Sequence, residues 1–425
     1  MGAVTASDET MDRANLPAPL AGKAVAVVHA AWHSCGSYQV NLSQMAAYKA
    51  LGARVVSAAM MDHPGPPPPQ GPRWAAYLEA SRDLPADKRY FSGPPPISPA
   101  SLGLIRAGWW PLVHGDQASW LIELAKRAPR PEGFEVETID LVHTNHYFTI
   151  PFVETLLAGR RAPILVETQD IQADQYVLRN KGGFFIPPYA TYDDMLKVEL
   201  DWMRRADVGV HLNDEEHEAF RKLLPETRHA LIYPAVAPVP LGAGGRDIVI
   251  VASDNYGNFV SLRWFLTEVL PLAPDIPVRI YGNIDAGVKS RDAALYEAHR
   301  ARFMGRVPDI GAVYASAACV LLPTTEGHGL SIKAVEALSC GAPLIATPQA
   351  FRGMGLDPAR FSNVALAEDA AGFAAHLLAA HARALAGAPQ PPRAQSDTRR
   401  AYDAVFSPEA YARKLAELVV PMVMR

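Results

Sequence analysis

"TTEGHGLSIKAVEALSCGAPLIAT", residues 324–347, decides how this chain is read. It joins a loop with two glycines, a helical run and a short apolar strand. Gly327 and Gly329 allow backbone to approach a ligand closely and to take φ values closed to other residues. A helix start presents free N–H groups, and these seat an anion such as a diphosphate. Lys333, in the first turn, adds a point charge to that seat. Glu336, one turn further, has the two oxygens needed to accept from adjacent ribose hydroxyls. Glu326 sits in the loop, at the carboxyl end of the strand "CVLLPTT", where it faces the hydroxyls of a sugar carried by the diphosphate. The same residues also fit a plainer account. Lys333 and Glu336 are three apart, the spacing of a surface pair worth ~0.2–0.5 kcal/mol, and Ser331 fits an N-cap.

Working outward, apolar runs alternate with helical patterns on both sides. Downstream of residue 246 the strands are "DIVIVAS", "VRIYGN", "CVLLPTT" and "PLIAT", with helices "NFVSLRWFLTEVLPLA" and "GAVYASA" between. The first half opens with "KAVAVVHAAW", a helical run ending at Leu51, Gly52 as its cap, and "ARVVSAAM". "IDLVHTNHYFTIPFVETLLAG" reads strand, loop, helix, and "APILVETQDI" and "ADVGVHLND" are further strands. "EEHEAFRKLL" is a helix entered through an acidic first turn, as the helix dipole prefers. This alternation predicts an α/β protein of two doubly wound, Rossmann-like domains facing across a cleft, with ligands at the carboxyl ends of the strands. The expected division is a disordered leader over 1–21, one domain over 22–238, a second over 239–396 and a terminal helical segment over 397–425 that packs back on the first domain. The linkers near 235–245 and 397 are the expected hinges. The Pro-rich stretches "HPGPPPPQGP" and "SGPPPISP" exclude helix interior and central strand, so 62–135 reads as an insertion with short helices. Trp109 and Trp110 are expected to anchor it to the core, with an acceptor site as the sharper alternative.

Composition sets the class. The chain has 425 residues, 49% hydrophobic and 20% charged, with a formal net charge of −4. That fits two folded domains and gives no basic face for a nucleic acid. No apolar run is long enough to span a bilayer. The N-terminus does not read as a signal peptide, so the expected place is the cytoplasm, with weak docking at a membrane surface through the terminal helix. Cys35, Cys319 and Cys340 have no metal or disulfide spacing, and each is expected to be a buried or half-buried small side chain.

The chain resembles glycosyltransferase family 4 of the GT-B superfamily. Members read like "EGFGLPxLEAMAxGxPVVAT", and a subgroup like "GxGIxxKxxEALAxGxPVVAT"; this chain has "GHGLSIKAVEALSCGAPLIAT". "NYGNFVSLRWFLTEVLPLAPDIPVRIYGN", "FMGRVPDIGAVYASAACVLLPTTEG" and "FRGMGL" agree in order and spacing. "VHTNHYF", "VETQDI" and "ADVGVHLNDEE" match more loosely. The resemblance implies transfer of a glycosyl group from a nucleotide-diphosphate sugar to a hydroxyl of a saccharide, lipid-linked or protein acceptor, with retention and without metal or cofactor. It places Glu326 on the donor sugar, Glu336 on the ribose, and the N–H groups of Gly329 and Leu330 on the diphosphate, with Gly327, His328, Ser331 and Lys333 as further donor-binding candidates. Arg306 and Val307 fall near the base or diphosphate, and Gly36 faces the donor. His146 falls beside the reacting centre, and Asn145 and Asp170 lie on the acceptor side. His143 is expected to point into the sheet.

Two departures stand out. Glu326 and Glu336 have nine residues between them where relatives have seven. Relatives also carry Arg and Lys after the first strand of the second domain, where this chain has "IVIVASDNYGNF"; Lys333 or Arg306 is the expected substitute. Asn258 there fits either the subgroup or a helix cap. An inactive binding protein on the same fold and a nucleotide-sugar epimerase remain open as alternatives.

Overall fold

Six apolar or small residues together with His29, spanning Ala24–Ala30, form β1, and all seven are buried. A strand hidden on both faces is what a parallel sheet covered by helices requires. The computed structural model describes residues 18–33, 35–64, 72–95, 97–98, 101–180, 183–327, 329–389 and 392–424.

After β1 come α1 (Gly36–Ala50), β2 (Arg54–Met60), α2 (Pro72–Ala80), β3 (Lys88–Ser92), α3 (Leu102–Leu104), α4 (Trp110–Val113), α5 (Gln117–Arg127), β4 (Leu141–Asn145) and α6 (Ile150–Leu157). Next are β5 (Ile164–Glu167), α7 (Gln172–Asn180), α8 (Tyr192–Met203), β6 (Val208–His211), α9 (Asp214–Leu223) and β7 (Arg228–Leu231). Extended chain leads to β8 (Asp247–Val251), α10 (Tyr256–Trp264), β9 (Val278–Tyr281), α11 (Ile284–Arg291), α12 (Ala293–His299), β10 (Phe303–Gly305) and α13 (Ile310–Ser316). The chain ends with β11 (Ala317–Leu322), α14 (Ile332–Cys340), β12 (Leu344–Ala346), β13 (Val364–Leu366), α15 (Ala370–Leu385), α16 (Asp397–Val405) and α17 (Pro408–Val423).

One sheet runs β3-β2-β1-β4-β5-β6-β7 and the other β10-β9-β8-β11-β12-β13. Pairing is parallel along β3-β2-β1-β4, between β6 and β7, and throughout the second sheet. The second sheet alternates its faces residue by residue. Val249, Val251, Val320 and Leu322 face a core completed by α14 and α16; Ile248, Ile250, Cys319 and Leu321 face one completed by α10 and α15. Two compact units result: the described residues up to Val166 with those from Ala412 onward, and Glu167–Tyr411.

Several expectations are corrected. The stretch 62–135 is not wholly an insertion, because β3 within it pairs with β2 at the sheet edge. An edge strand needs few apolar residues, so "KRYFS" gave no strand signal. Trp109 and Trp110 are exposed, and so do not anchor that region to the core. Trp109 closes a π-helical turn, Ile105–Trp109, that interrupts the helix there, and Trp110 opens α4 after it. Cys35 is exposed, while Cys319 and Cys340 are buried as expected. Residues 1–17 of the expected leader lie outside the described residues. Leu20 is fully buried and its N–H donates to Leu51 O at 3.0 Å, so packing begins before residue 22. Among the described residues no helix is long and apolar enough to cross a membrane.

Candidate functional site

β11 is buried along its whole length and delivers the glycine loop at its carboxyl end. The loop is pinned on both sides. Thr325 N–H donates to Ser261 Oγ of α10 at 3.1 Å, and the Thr347 hydroxyl donates to Thr324 O. Gly327 has φ +142° and Gly329 φ +61°. A Cβ on Gly327 would lie 2.5 Å from Arg352 Nη2, and one on Gly329 would lie 2.9 Å from Asp170 Oδ1. Both glycines are therefore demanded by conformation, and a Cβ on either would press on the end of a neighbouring side chain. Gly257, in the first turn of α10, lies against Glu326 O and Gly327 Cα. The Glu326 side chain is exposed. His328 lies outside the described residues.

Ser331 caps α14, its Oγ accepting from Ala334 N–H at 3.3 Å. Leu330 and Val307 pack on the core beneath that end of the sheet, and Arg306 is exposed just after β10. Lys333 Nζ lies 2.9 Å and 3.1 Å from the two Glu336 oxygens, and Tyr314 OH donates to Glu336 Oε2 at 3.2 Å. The plainer pair is thus formed, with a buried tyrosine added. After β8, Asn255 and not Asn258 caps α10; Asn258 Nδ2 donates to Ser253 O at 2.9 Å. Asp254 in that loop pairs with Arg291 Nη1 at 2.6 Å.

In the other unit, α1 begins at Gly36, which is exposed. The next residue, Ser37, brings Oγ within 3.3 Å of His146 Nε2, so the Gly36 turn and His146 meet. His146 follows β4 with φ +66° and stacks on Phe148 at 4.9 Å. Positive φ in a non-glycine residue is strain, and strain gathers at functional sites. Asn145 is buried and exchanges two hydrogen bonds with Gln44, at 2.8 Å and 3.1 Å, so its amide is turned inward. His143 is buried as expected, with Nδ1 3.0 Å from Tyr48 OH.

Asp170 follows Gln169, another strained residue with φ +62°. Its carboxyl belongs to a cluster with Glu199 and Glu216. Glu199 accepts from Gln172 and Ala173 N–H at 3.2 Å and 3.1 Å, covering the start of α7. Burial pushes its pKa up to about 8 against those two hydrogen bonds. Burial also pushes Asp170 and Glu216 up, and repulsion from Asp170 adds to the rise at Glu216. Among the described residues no group of three His, Cys, Asp or Glu is arranged to hold a metal.

Sequence reasoning missed Glu199, Glu216 and Arg352. Glu216 reads as a dipole charge in an acidic helix start, and Arg352 as one letter among the glycines of "FRGMGL".

Residues 245–382 match the family model described as Glycosyl transferases group 1. That segment is similar to the group 1 glycosyltransferases. It contains the glycine loop, α14, Arg352, the core of the second sheet that α10 and α15 complete, and part of the core that α16 completes. The chain is also similar to solved structures over nearly its whole length. Sucrose-phosphate synthase from Thermosynechococcus elongatus is 16% identical with a TM-score of 0.57, covering 95% of this chain and 99% of that one. Anabaena HepE, solved with UDP and glucose, is 12% identical with a TM-score of 0.60, covering 94% and 100%. A UDP-forming α,α-trehalose-phosphate synthase from Burkholderia vietnamiensis is 15% identical with a TM-score of 0.55, covering 93% and 98%. At these identities the likeness is one of fold, and the fold is GT-B. The sequence matches none of the curated proteins with which it was compared.

Proposed function

We propose that this protein transfers a glycosyl group from a nucleotide-diphosphate sugar to an acceptor hydroxyl, with retention at the anomeric carbon and without a metal. The observation that carries the reading is the group 1 glycine loop, held open at Gly327 and Gly329 and running into the Ser331-capped start of α14. Backbone N–H groups at Gly329 and Leu330 meet the diphosphate there. Glu326 holds the donor sugar and Glu336 the ribose, exchanging Lys333 for the two hydroxyls. As the glycosidic bond breaks, negative charge grows on the departing phosphate, and preorganised donors stabilise that charge more than the ground state. The acceptor hydroxyl enters on the same face and its proton passes to the departing phosphate oxygen. In this reading Gly36 faces the donor, His146 lies beside the reacting centre and Asp170 belongs to the acceptor side. The stretch 62–135 shapes the choice among saccharide, lipid-linked and protein acceptors in glycan or glycoconjugate biosynthesis at the cytoplasmic side.

Thermal unfolding against a panel of nucleoside diphosphates and their sugars tests this, with Glu336→Ala alongside. A ligand at a hundred times its Kd adds ~2.7 kcal/mol, which is a rise of several degrees. The expected result is a base-selective rise that Glu336→Ala abolishes. No rise with any nucleotide would sink the donor site, and a rise without transfer to any acceptor would favour a binding protein.

A further inference from the structure

We infer that Arg352 carries the positive charge for the donor's diphosphate, in place of the Arg and Lys that relatives hold after the first strand of this domain. The inference rests on the donor site proposed above and names a residue that reading did not contain.

Three observations converge on it. The loop after β8, "ASDNYGN", has no cation, and its Asp254 is engaged with Arg291 at 2.6 Å. Lys333 is held by both oxygens of Glu336, and Arg306 lies exposed after β10. Arg352, by contrast, is brought against the glycine loop itself. It follows the helical turn Pro348–Phe351 after β12, and Phe351 is buried in the core beneath. Its Nη1 donates to Gln349 O at 3.1 Å, which orients the guanidinium. Its Nη2 lies only 2.5 Å from where a Cβ on Gly327 would be. A guanidinium stays charged in a half-buried place, where its field is screened less than in water. Its planar fork suits two phosphate oxygens, and its position beside Gly327 puts it one loop away from the α14 start. Gly327 then has a specific reason to be glycine. A methyl there displaces the end of the arginine side chain, since that end is what it would meet.

Titration calorimetry of uridine and UDP, or the corresponding pair for the base the unfolding panel selects, tests the assignment. Wild type, Arg352→Ala, Arg352→Lys and Gly327→Ala are compared. A charged hydrogen bond of this kind corresponds to a loss of ~10–100-fold. The expected result is that loss for the diphosphate in Arg352→Ala, with nucleoside affinity and ligand-free Tm unchanged. Arg352→Lys recovers part of it, and Gly327→Ala weakens the diphosphate selectively. Unchanged diphosphate affinity in Arg352→Ala overturns the inference alone, as does an equal loss for nucleoside and diphosphate. A wild-type protein that binds no nucleoside diphosphate overturns the donor site and this inference with it.

Discussion

At Glu336 two partners already occupy the carboxylate that the proposed function gives to ribose. Lys333 reaches both oxygens, and Tyr314 OH reaches one at 3.2 Å. A partly exposed i,i+3 pair contributes little, so donor hydroxyls displace Lys333 at small cost. Lys333→Ala is therefore expected to lower stability by only ~0.2–0.5 kcal/mol and to leave diphosphate affinity within about twofold. Glu336→Ala is expected to lose the ribose bonds, with a drop of ~10-fold or more in nucleotide affinity. Urea unfolding and titration calorimetry on the two variants check this. A tenfold loss in Lys333→Ala would return the diphosphate charge to the helix and away from Arg352.

At the scale of elements, the loop from β11 to α14 depends on a left-handed turn at Gly329. Gly329→Ala is expected to cost ~1–2 kcal/mol from backbone alone, and its methyl would sit 2.9 Å from Asp170 Oδ1. The measurable outcome is a lowered Tm together with lost nucleotide binding. An unchanged Tm would show that the turn is not fixed before ligand arrives. Asn255→Ala removes the cap of α10, the helix whose Ser261 pins the loop, and is expected to cost ~1 kcal/mol. These elements were legible in the sequence because each carries a local signal. Buried strands read as apolar runs, Gly327 and Gly329 as conformational demands, and Ser331 as a cap. β3 was not legible, because "KRYFS" is an edge strand between proline-rich stretches. Arg352, Glu199 and Glu216 were not legible for another reason. Their meaning lies in what they face, and Gly327, Asp170 and the start of α7 are far from them in sequence. The capping of α10 was misplaced by three residues because Asn255 and Asn258 are equally good cap letters.

For the whole molecule, buried carboxyls in the two units give stability opposite dependences on pH. Glu137 accepts from Arg54 Nη1 at 2.6 Å, Lys88 Nζ at 3.0 Å and Tyr90 OH at 2.5 Å. Burial pushes its pKa up, but the hydrogen bonds from Arg54, Tyr90 and Lys88 together outweigh burial and bring it down to about 2. A depressed carboxyl contributes stability above its unfolded value, near 4.5, and loses it as pH falls toward 2. Glu199 and Glu216 are raised, so the folded state holds protons that the unfolded state has released. Their contribution is most favourable in acid and declines as pH climbs from about 4.5 to 8 and beyond. The formal charge of −4 is too small for general repulsion to mask either effect. Denaturant unfolding from pH 3 to 9 on wild type, Glu137→Gln and Glu216→Gln separates them. Glu137→Gln is expected to lose ~1–3 kcal/mol at pH 7, with the difference closing toward pH 2–3. Glu216→Gln is expected to gain ~1–3 kcal/mol at pH 8.5, with the difference closing toward pH 4–5. A Glu216→Gln protein that is less stable at pH 8.5 would mean that Glu216 is ionised in the fold and held there by a partner. The carboxyl cluster beside Gly329 would then be anionic at working pH, and would repel a diphosphate from that side of the loop.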